Sequence, residues 1–316
     1  MPGETVVPRE AGLHGQKVLL TGASGFLGRH LAERLTRSGA ALHLLSTAAA
    51  WGEAFRLRSP STQFHPLVLG QTDLTELLNG IRPDLVIHLA AQGGNTRTGC
   101  DAWASLDVNL RYGAALGVAA AASGCPRFLM AGSHFQHFEN REDAPFDAYA
   151  AAKSALESML RGISDLHGLD VVSLHLGDVL GRADPRPKVV NAILSALRDG
   201  SEMALSGGDQ FLMPLHVEDA AQAFLHASLG DEGRPSCGFR RWAVRPHQAV
   251  KLHDFVSLLE RESGTRLNAR WGALAYRTRE RMQPWEGLPP LPGWEPHHSL
   301  EDLVRELWAG APVQEA

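Results

Sequence analysis

The segment KVLLTGASGFLGRHLAERLTRSGAALHLLS, residues 17–46, narrows what this chain can fold into more than any other. The short apolar run KVLLT (17–21) passes without a spacer into Thr21-Gly22-Ala23-Ser24-Gly25-Phe26-Leu27-Gly28. FLGRHLAERLTRSG (26–39) then shows helical apolar spacing and a terminal Gly39, and ALHLLS (41–46) is a strand again. Glycines between a strand and a helix let the backbone turn tightly, approach a pyrophosphate with no Cβ in the way, and aim the helix N-terminal N–H groups at the anion. Gly22, Ser24, Gly25, Phe26, Leu27 and Gly28 are therefore the candidate residues for binding a dinucleotide. The plain alternative is a tight strand-to-helix turn.

Further strand-type runs follow: FHPLVL, DLVIHLAA, RFLMAGS and DVVSLHLG. Helical stretches such as AWASLDVNLRYGAALGVAAAA and AYAAAKSALESMLRGISDL separate them. Strands alternating with helices predict an α/β fold with a doubly wound parallel sheet covered on both faces. After about Gly181 Pro and Gly become denser, Trp242, Trp271, Trp285, Trp294 and Trp308 cluster, and QPWEGLPPLPGWEP fits neither a regular helix nor a central strand. The division expected is a sheet domain at 17–180, rejoined by 214–245, a smaller irregular C-terminal substrate-binding cap from 181–213 and 246–312, and a flexible arm at 1–16.

Lys and Arg total 30 against 35 Asp and Glu, a net charge of −5, which removes the electrostatic case for gripping nucleic acid or an anionic membrane. No stretch approaches the roughly 18 to 20 apolar residues that cross a bilayer. Cys100, Cys125 and Cys237 are odd in number and widely spaced, so neither a disulfide framework nor a zinc site is encoded. No pair of His stands with a carboxylate at metal spacing, and no metal is expected. A cytoplasmic protein with reduced thiols is the expectation.

Lys occurs only at 17, 153, 188 and 251, and Tyr only at 112, 149 and 276. Against that scarcity, Tyr149 and Lys153 stand four residues apart, on one helix face. A cation so close favours the tyrosinate and draws the phenol down toward use as an acid or base. Ser133 ends the run RFLMAGS, and the carboxyl ends of parallel strands are where such sheets bind ligands. Asn109, on the preceding helix, is the candidate to support Lys153 through a water. At the end of the second strand, where a ribose-reading acid belongs, stand Ser46 and Thr47. The missing acid selects NADP(H) over NAD, with Arg29 or Arg56 as charge partners for the 2′-phosphate.

In this order, TGASGFLG, DLVIHLAA, Asn109, Ser133, Tyr149 and Lys153, LHLGDVLG (174–181) and PLHVEDAAQA (214–223) resemble the extended short-chain dehydrogenase/reductase family over nearly the whole chain. The resemblance implies a Rossmann-like sheet, Ser–Tyr–Lys catalysis of hydride transfer and a homodimer. It also implies that Leu89, Ala90, Ala91, Leu176 and Val179, with Tyr149 and Lys153, line the cofactor. Dehydratases of the family carry an Asp-Glu pair just after the catalytic hydroxyl; here His134, Phe135, Gln136, His137 and Phe138 follow Ser133, which excludes that branch.

SHFQHFENREDAPFDAYAAAK and the C-terminal ALAYRTRERMQPWEGLPPLPGWEPHHSLEDLV are similar to the nucleotide-sugar 4-ketoreductases of the CDP-abequose synthase type. On that similarity Gln92, His134, Gln136, His137 and Asp178 are expected at the substrate, and Arg277, beside Tyr276 and Glu280, at its diphosphate. Two departures stand out. Leu212 occupies the place of a diphosphate-binding Arg, and Gly70 the place of the adenine-reading Asp, leaving Gln71 or Asp73 to substitute. The resulting expectation is NADPH-dependent reduction of the C4 ketone of a nucleotide-linked 4-keto-6-deoxyhexose. An NAD-dependent 4-epimerase is the alternative within enzymes, and a cofactor-binding regulatory or scaffold protein the alternative outside them.

Overall fold

A computed structural model of the protein describes residues 12–93, 103, 105–142, 144–230 and 238–310. Cys100 and Cys237 lie outside the described residues. Strands β1 (Lys17–Thr21), β2 (Ala41–Ser46), β3 (Thr62–Pro66), β4 (Leu85–His88), β5 (Arg127–Ser133) and β6 (Asp170–Leu176) are followed by the short β7 (Asp178–Leu180), β8 (Met203–Ala204), β9 (Phe211–Leu212) and β10 (Pro214–His216), then β11 (Phe239–Val244). Seven of them form one sheet in the order β11-β6-β5-β4-β1-β2-β3. β1 pairs in parallel with β2 and β4, β2 with β3, and β4 with β5. The order reverses beside β1, and at such a switch point the loops after two neighbouring strands part to leave a ligand crevice. The α/β class expected from the sequence is the one observed.

Helices α1 (Phe26–Arg37), α2 (Ala49–Arg58), α3 (Leu74–Ile81), α4 (Gly113–Ala122) and α5 (Ala148–His167) accompany the first five strands. Their ends follow local chemistry. The Asp73 side chain accepts from the backbone N–H groups of Thr75 and Glu76 and starts α3. The Asp147 side chain accepts from Ala150 N at 2.9 Å and its carbonyl from Ala151 N at 2.9 Å, which starts α5. Two elements differ from the sequence expectation. The strand foreseen in FHPLVL stops at Pro66, whose ring cannot donate to a ladder. The long helix foreseen over 102–122 contains a π-helical turn, Asp107–Tyr112, before α4 begins.

The chain divides into two compact units. The first takes Met1–Ala131, Ala155–Ser173 and Ala221–Arg240; the second takes Gly132–Ser154, Leu174–Ala220 and Arg241–Ala316. Leu19, Val86, Leu116, Phe128, Leu156, Leu160 and Val171 belong to the core of the first. The core of the second is built on Ile193, Leu197, Phe255, Leu259, Leu303 and Leu307, from helices α6 (Val189–Asp199), α8 (Leu252–Ser263) and α9 (Leu300–Gly310), with α7 (Val217–Ser228) preceding α8 in the chain. Cys125 is buried as a free thiol, and burial pushes its pKa up to about 11, so it is an inert packing residue. No helix among the described residues is long and apolar enough to cross a membrane.

At the start of β6 Asp170 is 2% exposed and sits between Arg240, at 2.5 Å, and Arg127, at 3.4 Å. Removing the buried carboxylate takes an ion-pair partner from both guanidinium groups at once. Asp170→Ala is expected to lower unfolding stability by about 3 kcal/mol in a urea titration; a change within experimental scatter would show the pair to be dispensable.

Candidate functional site

In the first unit the glycine loop is held by backbone proximity. Gly22 has φ +72°, and a Cβ there would lie 2.5 Å from Ala90 N. A Cβ on Gly28 would lie 2.1 Å from the Gly22 carbonyl oxygen. Only glycine fits either place, and the result is a tight loop, free of Cβ atoms at Gly22, Gly25 and Gly28, leading into the N-terminus of α1, which suits a pyrophosphate. Thr21 ties this loop to the end of β4: its Oγ1 is hydrogen-bonded to His88 Nδ1 at 2.8 Å and accepts from Ala90 N at 3.3 Å. Leu89 and Ala90 thus flank the loop, with Ala91 next in the chain. The glycine cradle passes the steric test for a dinucleotide.

At the end of β2, Ser46 Oγ lies 3.3 Å from Ser24 Oγ and accepts from Ala48 N at 3.1 Å. Arg29 Nε donates to the Ser24 carbonyl at 2.8 Å, with the guanidinium 5.9 Å from the Trp51 ring centre. Arg56, the other expected charge partner, pairs with Glu53 at 2.7 Å. Thr47 is exposed beside Ser46. Asp73 is committed to the cap of α3, which leaves the exposed Gln71 as the polar side chain free of that duty.

Asn109 departs from expectation. It is 1% exposed, its Oδ1 accepts from Gln92 N at 2.9 Å, and its Nδ2 donates to Gln92 O at 2.9 Å and to Ser105 Oγ at 2.8 Å. The side chain clamps the backbone just after β4, and Gln92 itself is exposed.

In the second unit Ser133 ends β5. Its Oγ accepts from Phe135 N at 3.2 Å, its N–H donates to Gln136 Oε1 at 2.9 Å, and Gln136 Nε2 donates to Ser154 Oγ at 3.3 Å. With Phe135 N occupying an Oγ lone pair, the hydroxyl proton is left to donate elsewhere. Tyr149 lies in the first turn of α5, and Lys153 Nζ is 5.4 Å from its ring centre. The sequence suggested that Lys153 draws the phenol down. The structure gives the opposite direction: burial, and then the charge of Asp147, push Tyr149 well above the ordinary phenol range, with Arg186 opposing. In this state Tyr149 is a protonated phenol.

The other expected substrate contacts are largely turned inward. Gln136 is 1% exposed, and His137, 2% exposed, is bonded through Nε2 to His175 Nδ1 at 2.8 Å and stacks on Trp285. His134, 1% exposed, places Nε2 3.2 Å from Asp178 Oδ1 and bonds through Nδ1 to Arg281 Nη1. Asp178 also accepts from Met213 N at 2.8 Å. Burial, and then the charge of Arg281, lower His134 to about 4 despite Asp178. Burial alone would raise the Asp178 carboxyl, but His134, Arg281 and Lys188 hold it well below the carboxylate range. Leu176 and Val179 are buried on either side of Asp178, and the Val179 carbonyl accepts from Arg186 and Lys188.

Arg277 is exposed, whereas Arg281 is 7% exposed. Sequence reasoning singled out Arg277 and missed Arg281. Its signal was present in the aromatic residues: Phe135 and Phe146 face the Arg281 guanidinium at 5.2 and 5.1 Å. Among the described residues no group of three or more His, Cys, Asp or Glu is placed to hold a metal ion.

The sequence pattern of the NAD dependent epimerase/dehydratase family matches residues 18–235, from β1 past the end of α7. The chain belongs to that family. A UDP-glucose 4-epimerase of Mycolicibacterium smegmatis is 30% identical over 72% of this chain and 76% of its own length. A CDP-abequose synthase of Salmonella typhimurium is 24% identical over 92% of this chain and 96% of its own. Among solved structures, a UDP-glucuronic acid 4-epimerase from Bacillus cereus in complex with UDP-glucuronic acid and NAD superposes with a TM-score of 0.79 at 21% identity, over 94% of this chain and 99% of that one. The chain is thus an enzyme of the epimerase/dehydratase family, which works with a nicotinamide cofactor.

Two consequences are measurable. Gly22→Ala places a methyl group against Ala90 N, so cofactor affinity should fall at least about 100-fold, read by fluorescence titration of a variant whose circular dichroism is unchanged. His134 stays neutral in the folded protein down to about pH 4, while an unfolded histidine protonates near 6.5. Between those values the unfolded chain binds more protons, so stability falls as pH falls through the window. His43, also lowered to about 4 chiefly by burial, adds to the slope. His134→Gln should flatten the slope by one proton's share in urea titrations from pH 7 to pH 4; an unchanged slope would remove His134 as its source.

Proposed function

We propose that this enzyme reduces the C4 ketone of a nucleotide-linked 4-keto-6-deoxyhexose with NADPH. The observation that carries the reading is the similarity to the CDP-abequose synthase of Salmonella typhimurium, which runs over 92% of this chain and 96% of that one. Reduction of a ketone calls for a proton donor, and Tyr149, a protonated phenol with Lys153 Nζ 5.4 Å from its ring centre, can supply one. A nicotinamide cofactor, when bound, supplies the hydride.

The chain's own residues have four tasks. The glycine loop, with Gly22, Ser24, Gly25 and Gly28, binds the pyrophosphate through backbone N–H groups. Ser133 donates its hydroxyl proton to the ketone oxygen and holds it. Tyr149 protonates that oxygen as negative charge develops on it. Lys153 orients the nicotinamide ribose. NADPH is favoured over NADH because no carboxylate stands at the end of β2, where Ser46, Ser24 and Arg29 offer donors to a 2′-phosphate. Arg277, exposed, remains available to the substrate diphosphate, and Gln92 to the sugar. A homodimer through α4 and α5 is supported by the exposed apolar side chains of Val118, Met159 and Leu166.

The NAD dependent 4-epimerase is the second reading, favoured by the Mycolicibacterium relative and by the NAD in the Bacillus cereus structure. Incubation with NADPH and a panel of dTDP-, CDP- and GDP-4-keto-6-deoxyhexoses separates the two. The reductase consumes NADPH stoichiometrically; an epimerase retains NAD through gel filtration and consumes none. Tyr149→Phe should slow turnover by about 1,000-fold with cofactor affinity retained. No NADPH loss across the panel overturns the ketoreductase.

A further inference from the structure

Arg281, His134 and Asp178 form a continuous chain of hydrogen bonds inside the second unit, and the chemistry of the three groups fixes its direction. A guanidinium only donates, so Arg281 Nη1 donates and His134 Nδ1 accepts. The neutral ring then carries its proton on Nε2, which faces Asp178 Oδ1 at 3.2 Å. The other carboxylate oxygen accepts from Met213 N at 2.8 Å. Charge runs from plus one through a neutral ring to minus one. Lys188, whose Nζ donates to the Val179 carbonyl at 2.6 Å, is the remaining charged group acting on His134.

Burying these groups is poor value as stabilisation, because an apolar trio of the same volume packs as well or better. What such a chain supplies is one defined geometry. That geometry is imposed on residues 133–136: His134 lies between Ser133 and Phe135, the two ends of the bond from Phe135 N to Ser133 Oγ. The Phe135 ring packs on the Arg281 guanidinium, and Arg281 is anchored through its own carbonyl, which accepts from Phe211 N at 2.7 Å. His134 is too buried to touch substrate, and both ring nitrogens are spent, so it neither binds nor shuttles protons.

We propose that Arg281 and His134 are positioning residues, which with Asp178 fix the turn after β5 so that the Ser133 hydroxyl points at the substrate oxygen. The proposal rests on the reading of Ser133 given above. The test has a kinetic arm and a substrate-free arm.

In the kinetic arm, His134→Phe keeps the ring and removes both hydrogen bonds. We expect kcat to fall about 30- to 100-fold with KM changed less than about threefold, the size of effect expected when one positioned group loses its alignment. His134→Gln, whose amide accepts on one side and donates on the other, should restore most of the rate. Ser133→Ala combined with His134→Phe should be no slower than Ser133→Ala alone, because a residue acting through Ser133 has nothing left to position. Independent, multiplying losses would make His134 merely structural and overturn the proposal.

The substrate-free arm uses ¹⁵N NMR of the holoenzyme. His134 should appear as the neutral Nε2–H tautomer at pH 6, and the Phe135 amide signal should shift as much in Arg281→Met as in His134→Phe. A ring that titrates near pH 6.5, or a Phe135 amide that ignores Arg281, overturns the proposal without reference to turnover. Failure of the wild-type enzyme to act on any ketosugar would instead count against the proposed reaction, leaving the NMR result to decide the relay.

Discussion

Backbone meeting backbone is the constraint on which the first unit is built. Gly22 stands where any Cβ would strike Ala90 N, and Gly28 where one would strike the Gly22 carbonyl oxygen. The loop after β1 and the loop after β4 are therefore fixed relative to each other by exclusion, with Thr21 and His88 joining them by a hydrogen bond. The second unit is organised differently. There Asp178 carries a charge that burial opposes, and the protein answers with His134, Arg281 and Lys188. One unit depends on the absence of side chains, the other on the presence of a balanced set.

The two halves differ in the same way in how far the sequence disclosed them. Glycine spacing after KVLLT is a local signal, because three residues of one chain segment create the cradle. Tyr149 and Lys153 are local too, joined by one helical turn. The parallel sheet was legible from the alternation of elements, and Pro66 and the π-helical turn show where alternation alone runs past the chemistry. His134, Asp178 and Arg281 are separated by 44 and 103 positions in the chain, so no window contains their relation. A histidine among fifteen, at the end of a strand, reads as a ligand contact until its partners are known. Asn109 shows the same limit: its type was informative, but its partner, the backbone of Gln92, has no signature.

Electrostatics at the site also runs against a common shortcut. A lysine four residues after a tyrosine on a helix suggests a phenol made acidic. Yet burial and the carboxylate that caps α5 push the phenol the other way, against Arg186, and it is held protonated. Asp147 therefore serves the helix and the chemistry at once, since the same charge that satisfies Ala150 N discourages ionisation of Tyr149.

The π-helical turn at Asp107–Tyr112 has a geometric consequence of its own. A π turn holds one residue more than an α turn, so it shifts the angular phase of everything after it by roughly a quarter of a revolution. Asn109 lies within the turn, facing Gln92, while Gly113 just beyond it approaches His88, where a Cβ would come within 2.9 Å of the ring. On an uninterrupted α-helix those two contacts would be tied to a single stripe. The inserted residue lets the segment before it serve the loop after β4 and the segment after it serve the sheet, each in its own phase.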